Sequence, residues 1–89
     1  MMTHSTLAIL GAGSWGTAVA IHLARHGQRV LLWGHNPSHV QNMAQSRENQ
    51  RYLPGVNFPP SLHPEASLET CIQQADTKFI WYCLAHQRH

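Results

Sequence analysis

The chain has 89 residues, the size of one small domain or of part of a larger one. Its 43% hydrophobic residues indicate a globular protein, and its formal net charge of +2 is too small to predict nucleic-acid binding. Cys71 and Cys83 lack C-x-x-C spacing, so we expect neither a disulfide framework nor a zinc site. The apolar run from Leu7 is interrupted at Gly11, so we expect no signal peptide or membrane span and a cytoplasmic protein.

The first predicted element is a strand over residues 6–11, which runs into a G-x-G-x-x-G motif made by Gly11, Gly13 and Gly16. Gly11 would allow a sharp turn, Gly13 a close approach to a pyrophosphate, and Gly16 close packing of the next helix on the strand. Backbone amides from about Ser14 onward would then face the phosphates at the positive end of that helix. The motif predicts a dinucleotide-binding βαβ unit. The alternative is a glycine-rich turn without a ligand.

The first helix is predicted from Ser14 to His26, ending at Gly27, which suits the left-handed position after a helix. Its spacing places Ile21 off the core-facing side. The residues predicted to face the core are Gly16, Val19, Ala20, Leu23 and Ala24. The almost continuous apolar run over 29–33 predicts a second, parallel strand covered on both faces.

The second helix is predicted over residues 37–47, with Asn36 as its N-cap and Pro37 in its first position. It should bury Val40, Met43 and Ala44. The later predictions are an ordered loop over 48–60, a short strand near 62–63, a helix over 67–75 capped by Ser67, and a strand over 78–84. Alternating strands and helices indicate an α/β fold, a partial Rossmann-type parallel sheet with flanking helices. It would hold the first βαβαβ half plus about one strand in the order 3-2-1-4, as one cofactor-binding fragment over 1–89.

The residue that contacts the adenosine ribose of the dinucleotide is expected about 20 positions after the glycine motif, which points to Asn36 with His35 beside it. A carboxylate there would repel the 2′-phosphate of NADP, whereas Asn36 is neutral and His35 can gain a proton beside a phosphate. We therefore expect NADP or NAD as the cofactor, with NADP slightly favoured. The alternative is that Asn36 only caps the second helix.

No catalytic apparatus is apparent. The only lysine, Lys78, lies on a predicted strand, the carboxylates are isolated, and Cys71 is better explained as a small core residue. The eight histidines include pairs four residues apart but no acidic or cysteine partner, so we expect no metal site. Trp15 follows the glycine turn, and its ring either takes part in the cofactor site or simply packs.

Three segments together resemble bacterial NAD(P)-dependent glycerol-3-phosphate dehydrogenase. They are the G-A-G-S-W-G-T-A run from Gly11 to Ala18, the L-W-G-H-N-P run from Leu32 to Pro37, and N-x-x-Y-L-P-G from Asn49 to Gly55. The resemblance covers about residues 7–76. It implies interconversion of dihydroxyacetone phosphate and sn-glycerol 3-phosphate by hydride transfer, which supplies the glycerol backbone of phospholipids. It also implies cofactor contacts, which would be made by Ser14, Trp15, His35 and Tyr52.

The resemblance is expected to end after Ala75 and Asp76, where a Val-Pro-Ser-like turn is missing, and an early stop or a shifted reading frame would explain the change. The family is several times longer, with its catalytic lysines and substrate domain further on. We therefore expect the 89-residue chain to be inactive alone and to meet a small phosphorylated substrate only in a full-length form. The alternatives are a stand-alone NAD(P)-binding module and a fragment of another dehydrogenase, such as a ketopantoate or hydroxyacid reductase.

Overall fold

Strands and helices alternate along most of the chain. The computed structural model describes residues 6–80, and the side chains of residues 6–76. The elements are β1 (Thr6–Leu10), α1 (Ser14–Arg25), β2 (Arg29–Trp33), α2 (Pro37–Ser46), β3 (Glu48–Asn49), β4 (Leu53–Asn57), β5 (Leu62–Glu65), α3 (Leu68–Gln74) and β6 (Thr77–Ile80). Within residues 6–80, no helix combines the length and the apolar character needed to cross a membrane.

The main sheet is parallel and has the strand order β5-β2-β1-β6. This confirms the predicted α/β fold and the order 3-2-1-4, with β5 as the third parallel strand and β6 as the fourth. Trp33 of β2 lies beside Leu10 of β1 and beside Glu65 of β5, so the carboxyl ends of these strands share one edge. The last predicted strand begins at Thr77, and residues 81–84 of that prediction lie outside the described part of the chain.

The core lies on both faces of this sheet, as expected for parallel strands. One cluster is formed by residues of the sheet together with residues of α1 and α2. Its fully buried members include Ile9, Val30, Leu32, Met43 and Leu62. The opposite cluster joins Ala8 and Leu31 to Cys71 and Ala75.

The buried face of α1 is wider than the sequence predicts. Ile21, expected to fall off that face, is 3% exposed and belongs to the core cluster, and Thr17 is also buried. Val19 and Leu23 are only half-buried against the cluster. The reason is that α1 contacts β4 and β5 as well as β1 and β2, so neighbours cover more than one stripe of the helix.

In α2, Val40 and Met43 are buried as predicted, but Ala44 is exposed, which corrects that expectation. The helix contacts β3 and β5, and it is the side bearing Val40 and Met43 that packs against the core. The helix ends when Arg47 adopts a left-handed conformation with φ of 58°.

Residues 48–60 are not a loop throughout, contrary to the prediction. β3 and β4 form an antiparallel pair that aligns Glu48 with Asn57 and Asn49 with Leu53. The register shifts between Glu48 and Asn49, and Gly55 has a φ of 85°. Proline and glycine in such a short segment hide the alternation that normally predicts a strand. The predicted strand at 62–63 is present and extends to Glu65.

Candidate functional site

The glycine loop, residues 11–16, lies at the carboxyl edge of the sheet. It comprises the three residues that join β1 to α1 and the first three residues of α1. Gly11 has a φ of 139°, which an L side chain rarely adopts, and its N–H donates to the carbonyl of Trp33 at 3.0 Å. This confirms that the turn at residue 11 uses the conformational freedom of glycine. The hydrogen bond also ties the loop to the end of β2.

Gly16 lets α1 approach the preceding loop closely. A Cβ built on Gly16 would lie 2.1 Å from the carbonyl oxygen of Gly11 and 3.4 Å from Cγ2 of Ile9. The first distance is far below van der Waals contact, and the obstructing atom belongs to the backbone. The predicted packing role of Gly16 is therefore confirmed.

The N-terminus of α1 differs in its capping from the other two helices among residues 6–80. Gly13 is its N-cap and supplies no side-chain hydrogen bond, and the first turn holds no acidic residue. In α2 the Asn36 side chain accepts from two backbone amides, and in α3 the Ser67 side chain accepts from one. First-turn amides have no acceptor within their own helix and carry a partial positive charge. This end of α1 therefore suits an anion such as a pyrophosphate, and the residues present fit a dinucleotide.

Two of the predicted cofactor residues meet across the chain. The Ser14 hydroxyl donates to the carbonyl of Tyr52 at 3.1 Å, which brings the turn after β3 against the glycine loop. The Tyr52 ring is partly exposed, with the Arg51 guanidinium 5.5 Å from its centre. The Trp15 ring is 64% exposed, so it is not a core side chain. No measurement tests their contact with a cofactor, which stays a prediction.

His35 and Asn36 follow β2 at the same edge of the sheet, and both are exposed. The Asn36 side-chain oxygen accepts from the amides of Ser38 at 3.0 Å and His39 at 3.2 Å. This confirms Asn36 as the N-cap of α2. Because a carboxamide also has an NH₂ group, capping leaves Asn36 able to contact a ribose.

Sequence reasoning missed Asn49 of β3, which is fully buried and contacts both α1 and α2. Its side chain bonds to Ala12, Thr17, His39 and Tyr52. A signal was present in the N-x-x-Y segment, because an asparagine side chain often accepts from a backbone amide a few residues ahead. The long-range partners at Ala12 and Thr17 carry no such local signal.

Two titratable side chains away from the loop have shifted pKa values. Burial raises the pKa of the Cys71 thiol to about 11, and the nearby Glu65 carboxylate acts in the same direction. Partial burial lowers the pKa of His63, with the positive charges of Arg29 and Arg47 adding to the effect. Among residues 6–76, whose side chains the structure describes, no group of three or more is arranged to hold a metal ion.

Comparisons with known proteins agree with this geometry. Residues 6–87 match the family model described as "NAD-dependent glycerol-3-phosphate dehydrogenase N-terminus". The match continues past residue 76, so the expectation that the resemblance ends there is wrong. It also favours glycerol-3-phosphate dehydrogenase over the ketopantoate and hydroxyacid reductases considered above.

Curated relatives named glycerol-3-phosphate dehydrogenase [NAD(P)+] include one from Legionella pneumophila strain Philadelphia 1 and one from Bartonella tribocorum. The first is 57% identical over 79 residues, covering 89% of this chain and 24% of the relative. The second is 54% identical over 74 residues, covering 83% of this chain and 22% of the relative.

The crystal structure of glycerol-3-phosphate dehydrogenase from Coxiella burnetii superimposes with a TM-score of 0.83 at 43% identity, covering 86% of this chain and 24% of that one. The chain thus spans about a quarter of the length of the proteins it matches. The sequence, the parallel sheet and the glycine loop agree: the chain belongs to the NAD-dependent glycerol-3-phosphate dehydrogenase family and corresponds to its N-terminal, NAD-binding part.

Proposed function

We propose that this chain binds the pyrophosphate of NADP or NAD at the N-terminus of α1, as the cofactor-binding part of an enzyme that interconverts dihydroxyacetone phosphate and glycerol 3-phosphate. The observation that carries the proposal is the beginning of α1. Its N-cap, Gly13, has no side chain that could cap the helix, and its first turn holds no acidic residue. The names of the relatives, which specify glycerol-3-phosphate and NAD(P)+, support the substrate and the cofactor.

In this proposal, the glycine loop orients the cofactor, while His35 and Asn36 contact the adenosine ribose. A bound nicotinamide would supply the hydride. Catalysis also needs the substrate held in near-attack geometry, and no residue among those described is assigned to that task. We therefore expect the 89-residue chain to bind the cofactor without turnover, and a cytoplasmic location is part of the same proposal.

The pyrophosphate site is tested by Ser14→Glu in the first turn of α1. A carboxylate there interacts favourably with the helix dipole but repels phosphate. Helix stability should therefore rise while cofactor affinity falls. We expect the Kd for NADH, measured by fluorescence titration, to rise about tenfold or more, with no loss of thermal stability.

The matched control is Gln41→Glu, which adds the same charge at an exposed position of α2. It should leave the Kd nearly unchanged. Equal affinity in Ser14→Glu and wild type, in folded samples, would contradict the assignment. NADPH oxidation with dihydroxyacetone phosphate by the 89-residue chain would contradict the expectation of no turnover.

A preference for NADP is a further part of the proposal and depends on the neutral side chain at Asn36. Asn36→Asp keeps an N-cap oxygen but adds a charge near the expected position of the 2′-phosphate. We expect the Kd for NADPH to rise about tenfold or more, while that for NADH stays within a few-fold, since only the former meets charge repulsion. Unfolding in urea should be almost unchanged, and an unaltered NADPH affinity would show that Asn36 is only a cap.

A further inference from the structure

Asn49 uses its whole hydrogen-bonding capacity inside the protein. Its Nδ2 donates to the carbonyl of Ala12 at 3.0 Å and to the hydroxyl of Thr17 at 2.9 Å. Its Oδ1 accepts from the amide of Tyr52 at 3.1 Å and lies 3.0 Å from Nε2 of His39. A backbone carbonyl can only accept and a backbone amide can only donate, so these partners fix which end of the carboxamide points where.

These bonds hold the glycine loop from both sides of Gly13. Ala12 lies inside the loop, whereas Thr17 lies in the first turn of α1, and one NH₂ group reaches both. The turn after β3 makes another link, because the backbone carbonyl oxygen of Tyr52 accepts from the Ser14 hydroxyl. We call Asn49, Tyr52, Thr17 and Ser14 the loop clamp.

A loop with several glycines has much conformational freedom, and binding must order it. If the backbone donors of the loop are already held in place before the ligand arrives, binding does not have to order them and the affinity is higher. Asn49 and Thr17 are fully buried, whereas Ser14 and Tyr52 are exposed, so the buried pair is the fixed part of the clamp. Within this pair, Asn49 is the residue that also bonds to Ala12 in the loop.

We propose that Asn49 is a positioning residue for the cofactor, which orders the glycine loop so that its backbone amides face the pyrophosphate. The inference rests on the proposed function, because it assigns the role of Asn49 to that same site. The proposed role is indirect, acting through Ala12 and Thr17 rather than through contact with the cofactor.

The loop-ordering step is tested without any ligand, by ¹⁵N relaxation of the 89-residue chain. In Asn49→Ala we expect order parameters over residues 12–16 to fall from about 0.85 toward about 0.6, with β1 and β2 unchanged. Thr17→Val is a milder variant that removes one partner of Asn49 and should give a smaller fall. Thr17→Ser keeps the hydroxyl and should restore the wild-type values.

The binding step uses NADH titration at a temperature where each variant is folded by circular dichroism. We expect the Kd to rise about tenfold for Asn49→Ala and a few-fold for Thr17→Val, with recovery in Thr17→Ser. The control is Val30→Ala, which opens the core at the beginning of β2, away from the loop. It should lower the midpoint of thermal unfolding without a comparable rise in Kd.

Unchanged order parameters in both Asn49→Ala and Thr17→Val would overturn the inference. A loss of affinity in Val30→Ala equal to that in Asn49→Ala, at matched loss of stability, would show that Asn49 acts only through the fold. If the wild-type chain binds neither NADH nor NADPH, the proposed function fails and the cofactor role of Asn49 fails with it. The ligand-free order parameters still decide separately whether Asn49 orders the loop.

Discussion

Single residues decide how closely the first helix approaches the first strand. At Gly16 a methyl group would collide with the Gly11 carbonyl, and relief requires movement of the backbone. Gly27 gives a contrast, because a Cβ there meets nothing within 4 Å, but its φ of 90° is strained for an L residue. The same substitution to alanine therefore tests two different physical costs.

We expect Gly16→Ala to lower the free energy of unfolding by about 1–3 kcal/mol, through overpacking, and to displace the glycine loop. Gly27→Ala should cost about 1–2 kcal/mol through backbone strain alone. Urea denaturation measures both losses. NADH titration separates them, because Gly16→Ala should weaken binding while Gly27→Ala should not. Equal NADH affinities in the two variants would contradict a role for Gly16 in shaping the site.

At the scale of elements, the helix starts were predictable because caps are local. Asn36 and Ser67 each bond to amides two or three residues ahead, and Pro37 stands where its missing N–H costs nothing. The β3–β4 pair was missed because its register is irregular and its members have no alternating pattern. Asn49 of β3 was missed as a site residue for a related reason. Its partners Ala12 and Thr17 are far away in the sequence, and only packing brings them near Asn49.

Helix α3 buries Cys71 against the sheet, which predicts how stability depends on alkaline pH. Burial raises the pKa of this thiol from 9.0 to about 11, so the unfolded chain loses its proton first as the pH rises. Its contribution to stability is constant below pH 9 and falls between pH 9 and about 11. The slope is at most about 1.4 kcal/mol per pH unit.

The measurement is urea denaturation of the Cys83→Ser chain and of the same chain with Cys71→Ala, across this pH interval. The difference between their unfolding free energies should change with pH in that interval and stay flat at neutral pH. A constant difference throughout would contradict the raised pKa. Modification of Cys71 by a thiol reagent should also be slow until the protein unfolds.

At the scale of the whole molecule, cofactor binding and folding are linked, because the glycine loop exists only in the folded chain. A ligand at about 100 times its Kd adds about 2.7 kcal/mol to the free energy of unfolding. For a domain of this size, we expect NADH at that concentration to raise the midpoint of thermal unfolding by about 10–20 °C. Differential scanning fluorimetry measures the shift, and Ser14→Glu should greatly reduce it. An equal shift in that variant would place the binding elsewhere.

The sequence by itself determined the parallel α/β order, the glycine turn and the caps of α2 and α3, because these depend on hydrophobic runs and on residues close together in the chain. Only the tertiary structure decided the wide buried face of α1, the pairing of β3 with β4, and the position of Asn49 between the glycine loop and α2. The physical reason is distance along the chain. A side chain that bonds to a residue 37 positions away leaves no local pattern, and its role appears only when folding brings the two together.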